Sequence, residues 1–227
     1  MHNLRSLTMY PGYSNFEFGL FQNQDCLLQE TISTKQTAAD FLPMLTTALQ
    51  KTDLSLDNLD YCTVFTGPGS FTTLRISVAF ANGFAFAKNI PLVAVTGFES
   101  LVQLCTTDIS VISYRALSNE IYLSIRTKEQ TILLETCVQT KNIPLLMQTI
   151  PMQATITFIG NGTPLIIEQL GNEYIRNNPR IIISPIQEPT LQQVTAYGEQ
   201  QFLQQPTTSY VVQPLYSQSP TPPPQKQ

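Results

Sequence analysis

Catalysis needs residues that move protons, attack carbonyls or hold metal, and this chain is short of all three. Its only histidine among 227 residues is His2, at a terminus of the kind that frays. No Ser–His or Cys–His pair is therefore available, and Ser70 has no base to activate it. Cys26, Cys62, Cys105 and Cys137 are widely separated, without the CxxC spacing that zinc sites use. Glu17, Asp25, Asp40, Asp60, Glu99 and Glu120 are scattered, none paired for acid–base work, and each reads as a surface or cap residue. What remains is residues 67–75, Gly-Pro-Gly-Ser-Phe-Thr-Thr-Leu-Arg. Gly67 and Gly69 can take backbone angles closed to other residues, and Pro68 stiffens the turn between them. A strand, a glycine turn and a helix start together aim free backbone N–H groups at one spot, where an anion or a partner's polar group can sit. Such turns are also common as plain structure, so the flanking elements must decide.

A β-rich run from Tyr61 to Thr66 leads into the turn, and a helical pattern over 71–88 leads out, with Ser70 or Thr72 able to cap it. At 100° per residue, Leu74, Val78, Ala81 and Ala85 fall on one stripe. Ile76, Ala79, Phe80, Gly83 and Ala87 fall on nearly the opposite side, with Arg75, Ser77, Asn82 and Lys88 between. A surface helix has one apolar face, whereas this one has two. One face packs on the chain's own sheet, and the other needs a second cover, from its own domain or from a partner. Ala79, Gly83 and Ala87 are small and four apart, a spacing that lets another helix come close. The uninterrupted apolar run is about a dozen residues, short of the ~20 that span a bilayer, and Asn82 and Lys88 interrupt it. No membrane span is expected.

The apolar fraction of 42% is ordinary, whereas the charged fraction of 12% is about half the average. Polarity comes from Gln, Asn, Thr and Ser, with 22 Gln, so the surface relies on hydrogen bonding. A net charge of −4 without a Lys/Arg cluster argues against a protein that holds RNA by itself. A length of 227 residues makes one larger domain or two small ones. The start, MHNLRSLTMYPGY, lacks a continuous apolar core, and four unpatterned cysteines fit reduced thiols, so a cytoplasmic protein is expected.

Gly67 to Leu101, GPGSFTTLRISVAFANGFAFAKNIPLVAVTGFESL, resembles the signature of the bacterial TsaB (YeaZ) proteins and their paralogue TsaD. That signature is roughly GPGSFTGLRIG, then A-K-G-L-A, then a short I-P-L-V strand and a helix containing L-E-A-L. Fainter likeness covers most of the chain. Phe41-Leu42-Pro43 is similar to the family's L-L-P, and Ala116 to Ile125 resembles its A-R-R-G-E-V-Y, with Glu120 and Tyr122 retained. Gly160-Asn161-Gly162 resembles its G-D-G turn, and Pro214-Leu215-Tyr216 its terminal P-x-Y-L-R. The resemblance implies an α/β protein of the actin-like ATPase (ASKHA) fold, two lobes of mixed sheets flanked by helices, without the catalytic job. In that family TsaD places threonylcarbamoyl on adenosine 37 of tRNA, TsaB is its non-catalytic scaffold, and a small ATPase, TsaE, joins them. Pairing uses the helix before the GPG strand and the helix after the turn. The resemblance therefore puts Phe41, Leu45, Ile76, Ala79, Phe80, Gly83 and Ala87 at a partner interface. Gly67, Pro68, Gly69, Ser70, Phe71, Thr72 and Arg75 form the turn that supports it. Transfer RNA is then met only through the partner, and self-pairing as a homodimer competes with the heterodimer.

The departures bear on cofactors. Family members open with a strand ending in Asp-Thr-Ser, but here the stretch is Tyr10-Pro11-Gly12, with no acid to handle a phosphate-bound metal. The usual His-Ser-Glu is Thr37-Ala38-Ala39, the motif glycines are Thr73 and Ser77, and the A-K-G lysine is Asn82. TsaD-type enzymes hold metal with two histidines four apart, which a single histidine cannot supply. The expectation is no metal and no cofactor, with the family's adenine nucleotide near the interface in question. Two other readings stay open: a stand-alone homodimeric binding module, and a nucleotide-dependent phosphotransferase of the actin-like superfamily, which needs the missing acidic loop.

The pattern along the chain predicts strands at 4–9, 16–22 and 26–32, a helix at 36–52, the strand 61–66, the helix 71–88, a strand at 92–95 and a helix at 98–105. Pro43 requires the regular helix to begin near Ala39. Strands at 109–115, 120–126 and 131–137 follow, then a weak helix at 143–149, a strand at 154–159, a helix at 163–170, a strand at 181–184 and a helix at 189–203. This order suits lobes at 1–106 and 107–216, with a disordered Pro-rich tail at 217–227. No internal repeat is visible in the residues themselves.

Overall fold

The computed structural model describes residues 3–151, 153–204 and 209–215; His2, Tyr216 and the tail 217–227 lie outside them. The chain divides into two compact units, Met1–Ser100 with Pro189–Leu215, and Leu101–Glu188. The sequence reading places the boundary near residue 106 and keeps the last helix in the second lobe. The structure instead divides at Ser100, and Pro189–Leu215 belongs to the first unit. The physical reason is the apolar face of that helix, whose Leu191 and Val194 complete a cluster with Tyr10, Phe21, Phe65, Leu74 and Val95 of the first unit.

The first unit is a five-stranded sheet in the order β3-β2-β1-β4-β5. Its strands are β1 (Arg5–Pro11), β2 (Asn15–Gln22), β3 (Asp25–Ser33), β4 (Tyr61–Gly67) and β5 (Leu92–Thr96). β1, β2 and β3 form an antiparallel meander, while β4 runs parallel to both β1 and β5. Every residue of β4 is buried, as a parallel strand between two neighbours and beneath helices on both faces must be. Alternation sorts the faces. Leu7 and Met9 of β1, and Cys62 and Val64 of β4, join Phe16 and Phe18 under α1 (Thr37–Lys51) and α2 (Phe71–Lys88). On the other face, α7 (Leu191–Gln204) packs against β1, β4 and β5. That seam is partly polar: the Thr195 hydroxyl bonds the Thr8 hydroxyl at 2.9 Å, and Phe202 stacks on Tyr61 with ring centroids 4.4 Å apart.

α1 begins at Thr37 and carries Pro43 within it, rather than starting near Ala39. The cost of the missing N–H is local, because Pro43 is exposed and the buried face is made by Thr37, Phe41, Leu45 and Ala48. α3 (Gly97–Val102) opens on Glu99, whose carboxylate accepts the Thr96 N–H at 2.8 Å as a cap.

The second unit repeats the plan. Its sheet, in the order β10-β9-β6-β7-β8, has an antiparallel meander of β6 (Ile109–Arg115), β7 (Glu120–Thr127) and β8 (Ile132–Gln139). β9 (Ile156–Ile159) and β10 (Ile181–Ile183) extend it in parallel. Strand order and direction match the first unit, so the repeat absent from the residues is present in the topology. One face packs Val111, Ile121, Leu123 and Phe158 against α4 (Ile143–Met147) and α5 (Thr163–Leu170). On the opposite face, the buried Arg126 guanidinium donates to Glu135 at 2.8 Å and to the Ser124 hydroxyl at 3.0 Å. α6 (Asn172–Asn177), absent from the sequence reading, is one short exposed turn without a periodic stripe. No helix of the described residues is long and apolar enough to cross a membrane.

Candidate functional site

The turn after β4 follows from its glycines. Gly67 takes φ +119°, a region open to glycine, before a cis bond to Pro68. A Cβ on Gly69 would stand 2.8 Å from the Pro11 carbonyl oxygen, so a glycine there lets the turn close against the end of β1. Ser70 is the N-cap residue of α2 by backbone geometry, yet its hydroxyl pairs with Thr73 Oγ1 at 3.1 Å rather than with a helix N–H. Phe71 is half-exposed, with the Arg75 guanidinium 4.0 Å above its ring. Thr72 is exposed.

α2 sets one face down and one face out. Leu74, Val78, Ala81 and Ala85 are buried, as is Ser77. Ala79, Gly83 and Ala87 are exposed, and Ile76 and Phe80 are half-buried. A Cβ on Gly83 would meet nothing within 4 Å. Phe86 is 93% exposed and was not anticipated from the sequence. Its signal was available, since it stands seven residues after Ala79 and hence on the same stripe. Asn82 was also missed: its side-chain amide donates to the Val212 carbonyl at 3.0 Å and its oxygen accepts the Val212 N–H at 2.9 Å, tying the C-terminal segment to α2.

Phe41 and Leu45 do not belong to this exposed face. They are 0% and 2% exposed, and the Phe41 ring packs against Phe16, Phe18 and Phe80 at centroid distances of 5.0, 5.2 and 4.9 Å. The reason is geometric: α1 lies on the antiparallel meander and beside α2, so its apolar stripe is used up on β2, β3 and the inner edges of Phe80 and Phe84. They hold α1 beneath Phe80 and Phe84, which present their outer edges beside the stripe.

Four of the scattered carboxylates, Glu17, Asp60, Glu99 and Glu120, have local structural partners. Asp60 accepts the Arg5 N–H at 2.7 Å, Glu17 accepts the Gln29 amide at 2.9 Å, and Glu120 lies 3.7 Å from the Cys137 thiol. Among the described residues, no three His, Cys, Asp or Glu side chains converge as metal ligands. Burial pushes the Cys62 thiol far above its usual range, which keeps it protonated, and also raises Cys105. The end of β1 does not fit a nucleotide phosphate with its metal. It carries no acid, its Pro11 carbonyl faces Gly69, and the Tyr10 ring packs edge-on against Phe65 at 4.8 Å.

The family model described as TsaD, tRNA N6-adenosine threonylcarbamoyltransferase, matches residues 30–215. The chain belongs to this family. Its likeness within it is of the TsaB (YeaZ) type. The tRNA threonylcarbamoyladenosine biosynthesis protein TsaB of Haemophilus influenzae is 30% identical over 93 residues, 39% of this chain and 39% of that protein. The match thus spans well under half of the length of that relative. Among solved structures, an uncharacterized Pseudomonas aeruginosa protein with similarity to peptidase YeaZ superimposes with a TM-score of 0.71 at 16% identity, over 95% of this chain and 100% of that one. A Bacteroides thetaiotaomicron protein with an actin-like ATPase fold gives a TM-score of 0.50 at 8% identity, over 86% and 96% of the two chains. The fold is therefore the actin-like ATPase fold that the sequence resemblance implied.

Proposed function

We propose that this protein is a non-catalytic scaffold for threonylcarbamoylation of adenosine 37 in tRNA, pairing with a TsaD-like catalytic subunit and thereby creating a surface for a TsaE-like ATPase. The observation that carries the reading is the outward stripe of α2, where Ala79, Gly83, Phe86 and Ala87 are exposed beside half-buried Ile76 and Phe80. A small-residue track with a large aromatic next to it suits helix-on-helix docking. The family match includes this helix. The GPG turn serves as its support, and no nucleotide is assigned to the Tyr10–Gly12 strand end. Transfer RNA is met through the partner, in keeping with a net charge of −4. Self-pairing through the same stripe is the competing state.

Light scattering on a sizing column, with the protein alone and mixed with the TsaD of the same organism, tests this. A one-to-one heterodimer is expected, and Gly83→Arg should abolish it. Because a side chain at Gly83 enters open space, that variant should unfold at the same or a slightly higher temperature, with up to about 1 kcal/mol gained from losing a mid-helix glycine. Normal pairing by Gly83→Arg would remove the helix-face argument, and no complex with a folded TsaD would remove the scaffold role.

A further inference from the structure

The second unit contains a cavity of about 350 Å³ between the end of α4, the residues Ile150, Pro151 and Ala154, α6 and the start of β10. Its floor is apolar, from Met147, Ile150, Ile156 and Ile181, all members of or packed on the core of that unit. Among the described residues its rim is polar and carries no acid: Tyr174, Asn178 and Arg180 line it, with Gln148. Arg180 is half-buried, and among the described residues nothing bonds or pairs with its guanidinium. The Asn178 amide donates one hydrogen to the Tyr174 carbonyl at 2.7 Å, which fixes the rim at that corner. A guanidinium at the rim of an apolar cavity without a counter-charge is a ready anion partner, and its planar fork is matched by a carboxylate. A cavity of this size falls in the range of small-molecule sites.

We propose that this cavity is a binding site for a small carboxylic acid with an apolar tail, the carboxylate on Arg180 and the tail along the Met147–Ile156 floor. The site is separate from the α2 stripe in sequence and in unit, so it stands or falls independently of partner pairing.

Calorimetric titration of the full chain with sodium octanoate, and separately with 1-octanol, tests the assignment. Octanoate should bind saturably with one site and a Kd at or below about 1 mM. Arg180→Gln should weaken octanoate about tenfold or more, the loss expected for a charge-assisted pair, while leaving octanol within about twofold. Ala154→Phe, which fills the cavity from its lining, should abolish both. Absence of saturable octanoate binding would overturn the proposal. So would unchanged octanoate binding in Arg180→Gln or in Ala154→Phe, with each variant's fold checked by circular dichroism.

Discussion

At the residue scale, the most closely enclosed glycine of the first unit is Gly198 on α7, where a Cβ would come within 2.6 Å of Thr63 Cγ2. Gly198→Ala should therefore cost about 1–3 kcal/mol, the range of overpacked sites. Thr63 Oγ1 is buried without a hydrogen-bond partner among the described residues, so Thr63→Ala should cost only about 1 kcal/mol, chiefly for the lost Cγ2 methyl. The double variant should recover most of the loss, read as non-additive urea midpoints in a double-mutant cycle. Beside it, Tyr61 is pushed up to about 12, chiefly by burial, with the Glu199 and Asp60 charges adding to the rise and the Ser6 hydroxyl opposing it. A raised value means that the folded state keeps a proton the unfolded state has released. The Tyr61 contribution to stability is thus level below about pH 10 and falls between about 10 and 12, by up to about 1.4 kcal/mol per pH unit. Tyr61→Phe should flatten that alkaline fall, seen by comparing urea unfolding at pH 9 and pH 11.

At the element scale, α1 and α2 differ in how they spend their apolar residues. α1 has one stripe and buries it on the meander and on Phe80 and Phe84 of α2, which is why Phe41 and Leu45 are core residues. α2 has two stripes, and its second stripe is covered by α1 only at Phe80, leaving Ala79, Gly83, Phe86 and Ala87 outside among the described residues. The sequence pattern alone could not separate these cases, since a helical stripe looks the same whether it faces a sheet or another molecule. α1 also retains an avoidable penalty at Pro43. Pro43→Ala would restore the bond to the Ala39 carbonyl, and the site is exposed, so no packing is lost. A gain of about 1–3 kcal/mol is expected, measured as a higher urea midpoint.

At the scale of the whole molecule, the first unit is assembled from both ends of the chain. α7 arrives only after the second unit has been traversed, and it buries Leu191 and Val194 against Tyr10, Phe65 and Val95. A chain ending at Glu188 should leave that face of the first sheet uncovered, bind a dye for exposed apolar surface, and aggregate, while the Leu101–Glu188 sheet retains its core. Full-length behaviour from the truncated chain would mean that α7 is dispensable to the first unit.

The order of strands and helices was legible in the residues, because periods of two and 3.6 are local properties of the chain. The GPG turn was legible for the same reason, as was the pair of stripes on α2. Three things depended on the tertiary structure. One is the return of Pro189–Leu215 to the first unit, where Thr195 meets Thr8, 187 residues away, a contact that no local pattern records. Another is the burial of Phe41 and Leu45. The last is the cavity at Arg180, whose floor and rim come from four separate elements. Each is a question of which surfaces meet, and in a chain of this length that is decided by long-range packing rather than by neighbours in sequence.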